Sequence, residues 1–93
     1  MTDRELLEDA AKAAGVDIEW QPCGWAHDNE TGCEWNPLTD DGDALRLAVK
    51  LHMPVEAMIA FVAEREPDWE KDPLAATRRA ITRAAAESGK AMP

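Results

Sequence analysis

Between residues 17 and 43 the chain has no lysine and no arginine, while the same stretch holds eight acids: Asp17, Glu19, Asp28, Glu30, Glu34, Asp40, Asp41 and Asp43. Over all 93 residues, 10 Lys and Arg stand against 19 Asp and Glu, a formal net charge of −9. A phosphate backbone is repelled by that balance, which argues against direct binding of nucleic acid. Long apolar runs are missing as well. No stretch approaches the ~20 apolar residues that a membrane span needs. Met1-Thr2-Asp3-Arg4-Glu5 opens with mixed charge, so no secretory leader is expected. Cysteine and histidine are scarce, limited to Cys23, Cys33, His27 and His52. The order C-x3-H-x5-C, with no second cysteine pair, is unlike the usual ligand spacing of a zinc site. No metal or other cofactor is expected. Cys23 and Cys33 are expected to flank a hairpin turn as thiols, with a cross-strand disulfide as the oxidised alternative. Nor is there a G-x-S-x-G elbow, a P-loop or a dinucleotide-binding glycine pattern. A Cys33–His27 or Cys23–His52 nucleophile pair has no pattern behind it. The chain is expected not to be an enzyme.

What is present is enough to fold. Hydrophobic residues make up 45% of the chain, too many for a disordered acidic tail, and the length suits one domain spanning 1–93. Thr2-Asp3-Arg4-Glu5 fits a capping box, and Leu6, Leu7, Ala10, Ala11, Ala13 and Ala14 follow at helical spacing up to Gly15. A first helix is expected over roughly 3–14. Val16-Asp17-Ile18-Glu19-Trp20 alternates apolar and acidic, the period of a half-buried strand. Asp28-Asn29-Glu30-Thr31-Gly32 is rich in turn formers, so a loose hairpin is expected around it. A second helix is expected over about 40–51. Thr39, Asp40 or Asp41 would be its N-cap, and Leu45, Ala48, Val49 and Leu51 its apolar stripe. Residues 55–63 fit helix and strand periods equally. Asp72-Pro73 starts a third helix, with Leu74, Thr77, Ile81, Ala84, Ala85 and Ser88 on one face. Gly89 would close that helix, leaving 90–93 as a frayed tail.

The charge is divided along the chain. Residues 46–93 hold seven acids and eight bases, and Arg78, Arg79, Arg83 and Lys90 lie on the third helix. Two readings follow. The basic helix offsets the acidic segment internally, or 17–43 presents an acidic face to a positively charged partner. Asp40, Asp41 and Asp43 are accounted for as helix capping, since the ligand order of a calcium loop is missing. Asp28, Glu30 and Glu34 are left as the candidate acidic face. Of the four tryptophans, Trp20 and Trp35 are expected in the core. Trp25 and Trp69 sit beside acids in loops, each either a packing lid or an interface anchor. The candidate partner-binding residues are therefore Trp25, Asp28, Glu30, Glu34 and Trp69.

Two long blocks also carry a resemblance. One is Trp35-Asn36-Pro37-Leu38-Thr39-Asp40-Asp41-Gly42-Asp43-Ala44-Leu45-Arg46-Leu47-Ala48-Val49-Lys50-Leu51. The other is Asp72-Pro73-Leu74-Ala75-Ala76-Thr77-Arg78-Arg79-Ala80-Ile81-Thr82-Arg83-Ala84-Ala85-Ala86-Glu87. With the opening Thr2-Asp3-Arg4-Glu5-Leu6-Leu7, they resemble the phage ABA-sandwich family of small phage and prophage proteins, over more than a third of the chain. Segments 20–34 and 52–71 match it poorly. The resemblance implies an α+β fold, a small layered helix–sheet–helix domain with about three helices and a short antiparallel sheet. It tips 55–63 towards strand. It implies a phage accessory protein acting in the cytoplasm of the bacterial host, and it brings no catalytic residues. Size, charge and the lack of enzymatic motifs are similar to those of anti-CRISPR proteins as a class. The expected function is inhibition of a host protein complex, such as a CRISPR surveillance complex, by occupying its basic nucleic-acid-binding surface. The alternative is a structural or morphogenetic phage protein that self-associates, for instance as a homodimer.

Overall fold

The computed structural model describes residues 2–54, Glu66 and 69–92. Among these, helix α1 spans Asp3–Ala14, strands β1, β2 and β3 span Ile18–Trp20, Ala26–Asp28 and Cys33–Glu34, and helices α2 and α3 span Asp41–Lys50 and Pro73–Lys90. The fold is α+β, with three helices and a three-stranded antiparallel sheet among the described residues. The ambiguous segment 55–63 lies outside them.

Local sequence explains the helix ends. At α1 the Glu5 amide donates to the Thr2 hydroxyl at 3.2 Å and the Thr2 amide donates to the Glu5 carboxylate at 3.4 Å, a reciprocal capping box. Gly15 takes the left-handed conformation at φ 69°, and Val16 donates to the Ala11 carbonyl. Asp40 caps α2 by accepting from the Asp43 amide at 2.8 Å, and Asp72 caps α3 by accepting from Ala75. The exit of α2 is less ordinary. His52 occupies the left-handed region at φ 55°, where glycine is favoured. An L side chain is strained there, so His52→Gly is expected to raise stability by about 0.5–1 kcal/mol. Thermal unfolding followed by circular dichroism reads this as a higher Tm.

The sheet is a meander in the order β1-β2-β3. Ile18, Glu19 and Trp20 pair with Asp28, His27 and Ala26, and His27 and Asp28 pair with Glu34 and Cys33. The turn of 29–32 joins β2 to β3 as expected, and a second turn at 21–25 joins β1 to β2. Ile18 and Trp20 pack against the helical core.

That core is built largely from alanine. The principal helix pair is α1 with α3. Leu7, Ala10, Ala11 and Ala14 of α1 meet Ile81 and Ala85 of α3, with Trp35 and Ala44, Leu47 and Ala48 of α2 in the same cluster. Two expected faces are rotated. On α2 the buried residues are Asp43, Ala44, Leu47 and Ala48, whereas Leu45 and Val49, expected inside, are 60% and 66% exposed. On α3 the buried residues include Ala76, Ala80, Ile81, Thr82, Ala85, Ala86 and Gly89, whereas Leu74 and Ser88 face out. Alanine predominates on the inward faces, beside Leu47 and Ile81, because small side chains let the helix axes approach. Dispersion attraction summed along a whole closely packed helix outweighs the cost of a few large exposed side chains.

Gly89 is part of this close approach. It does not end α3, as a terminal glycine would, because the helix continues to Lys90. A Cβ at residue 89 would stand 1.7 Å from the Asp9 carbonyl oxygen of α1. The Lys12 ammonium donates to the Met92 carbonyl at 3.0 Å, a tether within the 90–93 segment expected to fray.

Candidate acidic docking site

Much of the acidity is neutralised within the fold. Arg46 pairs with Asp43 and stands 3.8 Å from Asp40. Its hydrogen bond with Asp43 raises the guanidinium further above its ordinary value, so Arg46 remains a cation at every relevant pH. Asp43 is buried and also accepts from the Asn36 amide at 2.9 Å, which ties the β3 exit to the first turn of α2. The arginines of α3 reach further. Arg78 binds Asp41 at 2.6 Å and donates to the Leu38 carbonyl at 2.9 Å, Arg79 stands 3.4 Å from Asp3, and Arg83 is 2.9 Å from the buried Glu66. Internal complementarity therefore accounts for Asp40, Asp41 and Asp43.

It leaves out the hairpin. Among the described residues, Asp28, Glu30 and Glu34 make no ion pair with a Lys or Arg. Asp28 is used locally, accepting from the Glu30 amide at 2.9 Å to shape the turn. All three line one cleft of about 650 Å³ between the β2–β3 turn and α2. Val16, Trp35 and Leu47 give this cleft apolar wall, and Arg46 and Lys50 border it from α2. Sequence reasoning does not single out these two cations. The available signal for Arg46 is its i,i+3 spacing from Asp43.

The two candidate tryptophans do not share this cleft. Trp25 is 57% exposed and belongs to the 21–25 turn. That turn lies at the opposite end of β2 from Asp28, and three residues of extended strand separate the two by roughly 10 Å. Trp69 is half-buried against Ala76 and Ala80, the packing-lid arrangement. Trp35 is buried in the core, and Trp20 is half-buried with the Arg4 guanidinium 4.5 Å from its ring centroid, a cation–π contact.

Cys23 and Cys33 are both exposed free thiols. They do not face each other, because the cross-strand neighbour of Cys33 is Asp28 and Cys23 lies in the far turn. His27 sits in the middle strand between Glu19 and Glu34, with its Nδ1 buried and without a hydrogen-bond partner among the described residues. Among the described residues no group of three His, Cys, Asp or Glu side chains is arranged to hold a metal ion. No described helix is long and apolar enough to cross a membrane. No protein-family model matches the chain, and it matches no curated protein and no solved structure.

Proposed function

We propose that this chain is a non-enzymatic interaction protein that docks its hairpin carboxylates onto a basic surface of a host protein complex and inhibits that complex. The observation that carries the reading is the separation of the acids into two sets. Asp40, Asp41 and Asp43 are held by arginines of α2 and α3, while Asp28, Glu30 and Glu34 lie together on one cleft without an ion pair among the described residues. Carboxylates gathered without direct ion pairs repel one another and gain from a complementary cation surface. Trp25, exposed at the other end of the sheet, is a second anchor.

A surface of the required sign is the channel in which a CRISPR surveillance complex holds nucleic acid, which is rich in Lys and Arg by necessity. The resemblance to the phage ABA-sandwich family supports the same setting: a phage accessory protein in the cytoplasm of a bacterial host, anti-CRISPR in class, with no direct contact to nucleic acid. The test is an affinity pull-down from host lysate, read beside a plaque assay with CRISPR-targeted phage. Asp28→Lys, Glu30→Lys and Glu34→Lys made together are expected to abolish capture and the rescue of plaquing while far-UV circular dichroism stays unchanged. A folded triple variant that still captures the complex and rescues plaquing would sink the proposal.

One observation favours the second reading, a structural or morphogenetic phage component that self-associates. Leu45 and Val49 stand exposed one turn apart on α2. Co-purification with virions separates this reading from inhibition.

A further inference from the structure

The cleft beside the hairpin is not uniform in sign. The hairpin contributes Asp28, Glu30 and Glu34 to it, and α2 contributes Arg46 and Lys50. Lys50 is exposed and makes no ion pair among the described residues. Arg46 is held by Asp43 and Asp40, yet among the described residues it donates through Nη2 alone. Its side chain is 72% exposed, so the donors on Nε and Nη1 are open to a ligand. Val16, Trp35 and Leu47 add apolar wall to the same space. The volume of about 650 Å³ falls among those of small-ligand sites, roughly 300–1,000 Å³.

We infer that this cleft binds the C-terminal residue of a peptide or protein that ends in arginine or lysine. A ligand carrying only a cation would satisfy the hairpin and be repelled by α2, and one carrying only an anion would meet the reverse. The occupant therefore carries both signs on an apolar stem. A basic C-terminal residue has that make-up. Its side-chain cation meets Asp28, Glu30 and Glu34, its terminal carboxylate meets Arg46 and Lys50, and its methylenes lie along the apolar wall. A free basic amino acid fits less well. Its α-ammonium stands next to its carboxylate, where Arg46 and Lys50 repel it. An acylated chain nitrogen carries no charge there.

This assignment deepens the docking proposal and rests on its reading of Asp28, Glu30 and Glu34 as the carboxylates that meet a partner. It adds Arg46 and Lys50 as the groups that select a chain end. The two fail separately. A chain that captures a host complex but ignores a basic C-terminus contradicts this assignment alone. A chain that binds such a C-terminus but captures no complex contradicts the docking of a host complex alone.

The test is a titration of the ¹⁵N-labelled chain, followed by amide chemical shifts, with N-acetyl-alanyl-arginine and with the same peptide as its C-terminal amide. The net charge of −9 makes the comparison sharp. The acid peptide is neutral overall and the amide is a cation, so the general field of the protein favours the amide. The acid is nevertheless expected to bind about tenfold more tightly or better, the gain of charge-assisted hydrogen bonds to its carboxylate. The largest shifts are expected at the β2–β3 turn and at the C-terminal half of α2. Lys50→Ala removes an exposed side chain, and it is expected to bring the two peptides within about threefold of each other. Glu30→Gln and Glu34→Gln together are expected to weaken both peptides about tenfold, with far-UV circular dichroism unchanged. Free L-arginine is expected to bind more weakly than the acetylated acid. Equal or tighter binding of the amide overturns the inference. So does a preference for the acid that Lys50→Ala leaves intact, tighter binding of free L-arginine, or the absence of any shift at the cleft with either peptide.

Discussion

Gly89→Ala is expected to lower stability by about 3 kcal/mol or more, the upper range for overpacking of a close-packed interior. The added methyl would stand 1.7 Å from the Asp9 carbonyl oxygen, 2.7 Å from its carbon and 3.2 Å from the Ala13 nitrogen. All three atoms belong to the backbone of α1, so no side chain can swing aside. The helices must separate, and the separation loosens the alanine packing along their shared face, including Ala10, Ala14 and Ala85. Alanine is otherwise the better helix former by up to about 1 kcal/mol, and that gain offsets only part of the loss. For a domain of this length each kcal/mol moves Tm by roughly 4–8 °C, so the variant should melt at least ~12 °C below the parent. A Gly89→Ala protein with unchanged or raised Tm would show that α1 and α3 do not approach in this way.

Trp35→Ala is expected to cost about 3–5 kcal/mol, the range for truncating a buried aromatic side chain. Trp35 is 6% exposed and shares one cluster with Leu7, Leu47 and Ile81. Most of the remaining cluster members are alanines, which cannot expand into the space an indole leaves. Its amide donates to the Ala26 carbonyl at 2.9 Å, so the residue also joins the end of β3 to β2. The loss should therefore be felt at the hairpin as well as between the helices. Denaturant unfolding followed by far-UV circular dichroism measures it. Trp25→Ala provides the contrast: its side chain is 57% exposed, and its removal should change stability by less than ~0.5 kcal/mol.

What can be read from the residue order is local. The Thr2–Glu5 capping box, an N-cap of α2 among Thr39, Asp40 and Asp41 (Asp40 in the fold), Asp72 as N-cap, Pro73 at the start of α3 and Gly15 beyond α1 each depend on neighbours within a few residues. They stand where that order places them. The alternation Ile18-Glu19-Trp20 and the turn-rich Asp28–Gly32 likewise yield the sheet. The faces of α2 and α3 are less legible. Hydrophobic periodicity favours large side chains, so it selects Leu45, Val49 and Leu74. The packing selects small ones, which is a property of the partner helix and not of the helix being read. Gly89 is ambiguous for the same reason: a glycine near a helix end fits a cap, and only the position of Asp9, 80 residues away in sequence, shows its other use.

The candidate site divides along the same line. Asp43 and Arg46 lie three residues apart, and their pairing is visible in the residue order. Arg78 and Asp41 are 37 residues apart, and Arg79 and Asp3 are 76 apart. Neither pairing is legible without the fold. Subtracting those pairs reduces a broad acidic segment to Asp28, Glu30 and Glu34 on one cleft. The fold also moves Trp25 to the other end of the sheet, because a second turn at 21–25 reverses the chain before β2 begins.

Docking through the hairpin carboxylates makes partner binding depend on salt. The complex recovered from host lysate would be titrated with the parent chain and with the Asp28→Lys, Glu30→Lys, Glu34→Lys variant at ionic strengths from ~0.05 to ~0.5 M, over which the screening length falls severalfold. The parent's Kd is expected to rise steeply with salt, and the triple variant to show no measurable binding even at the lowest salt. A parent Kd that is flat across the range, or a variant that matches the parent in both Kd and slope, would contradict it.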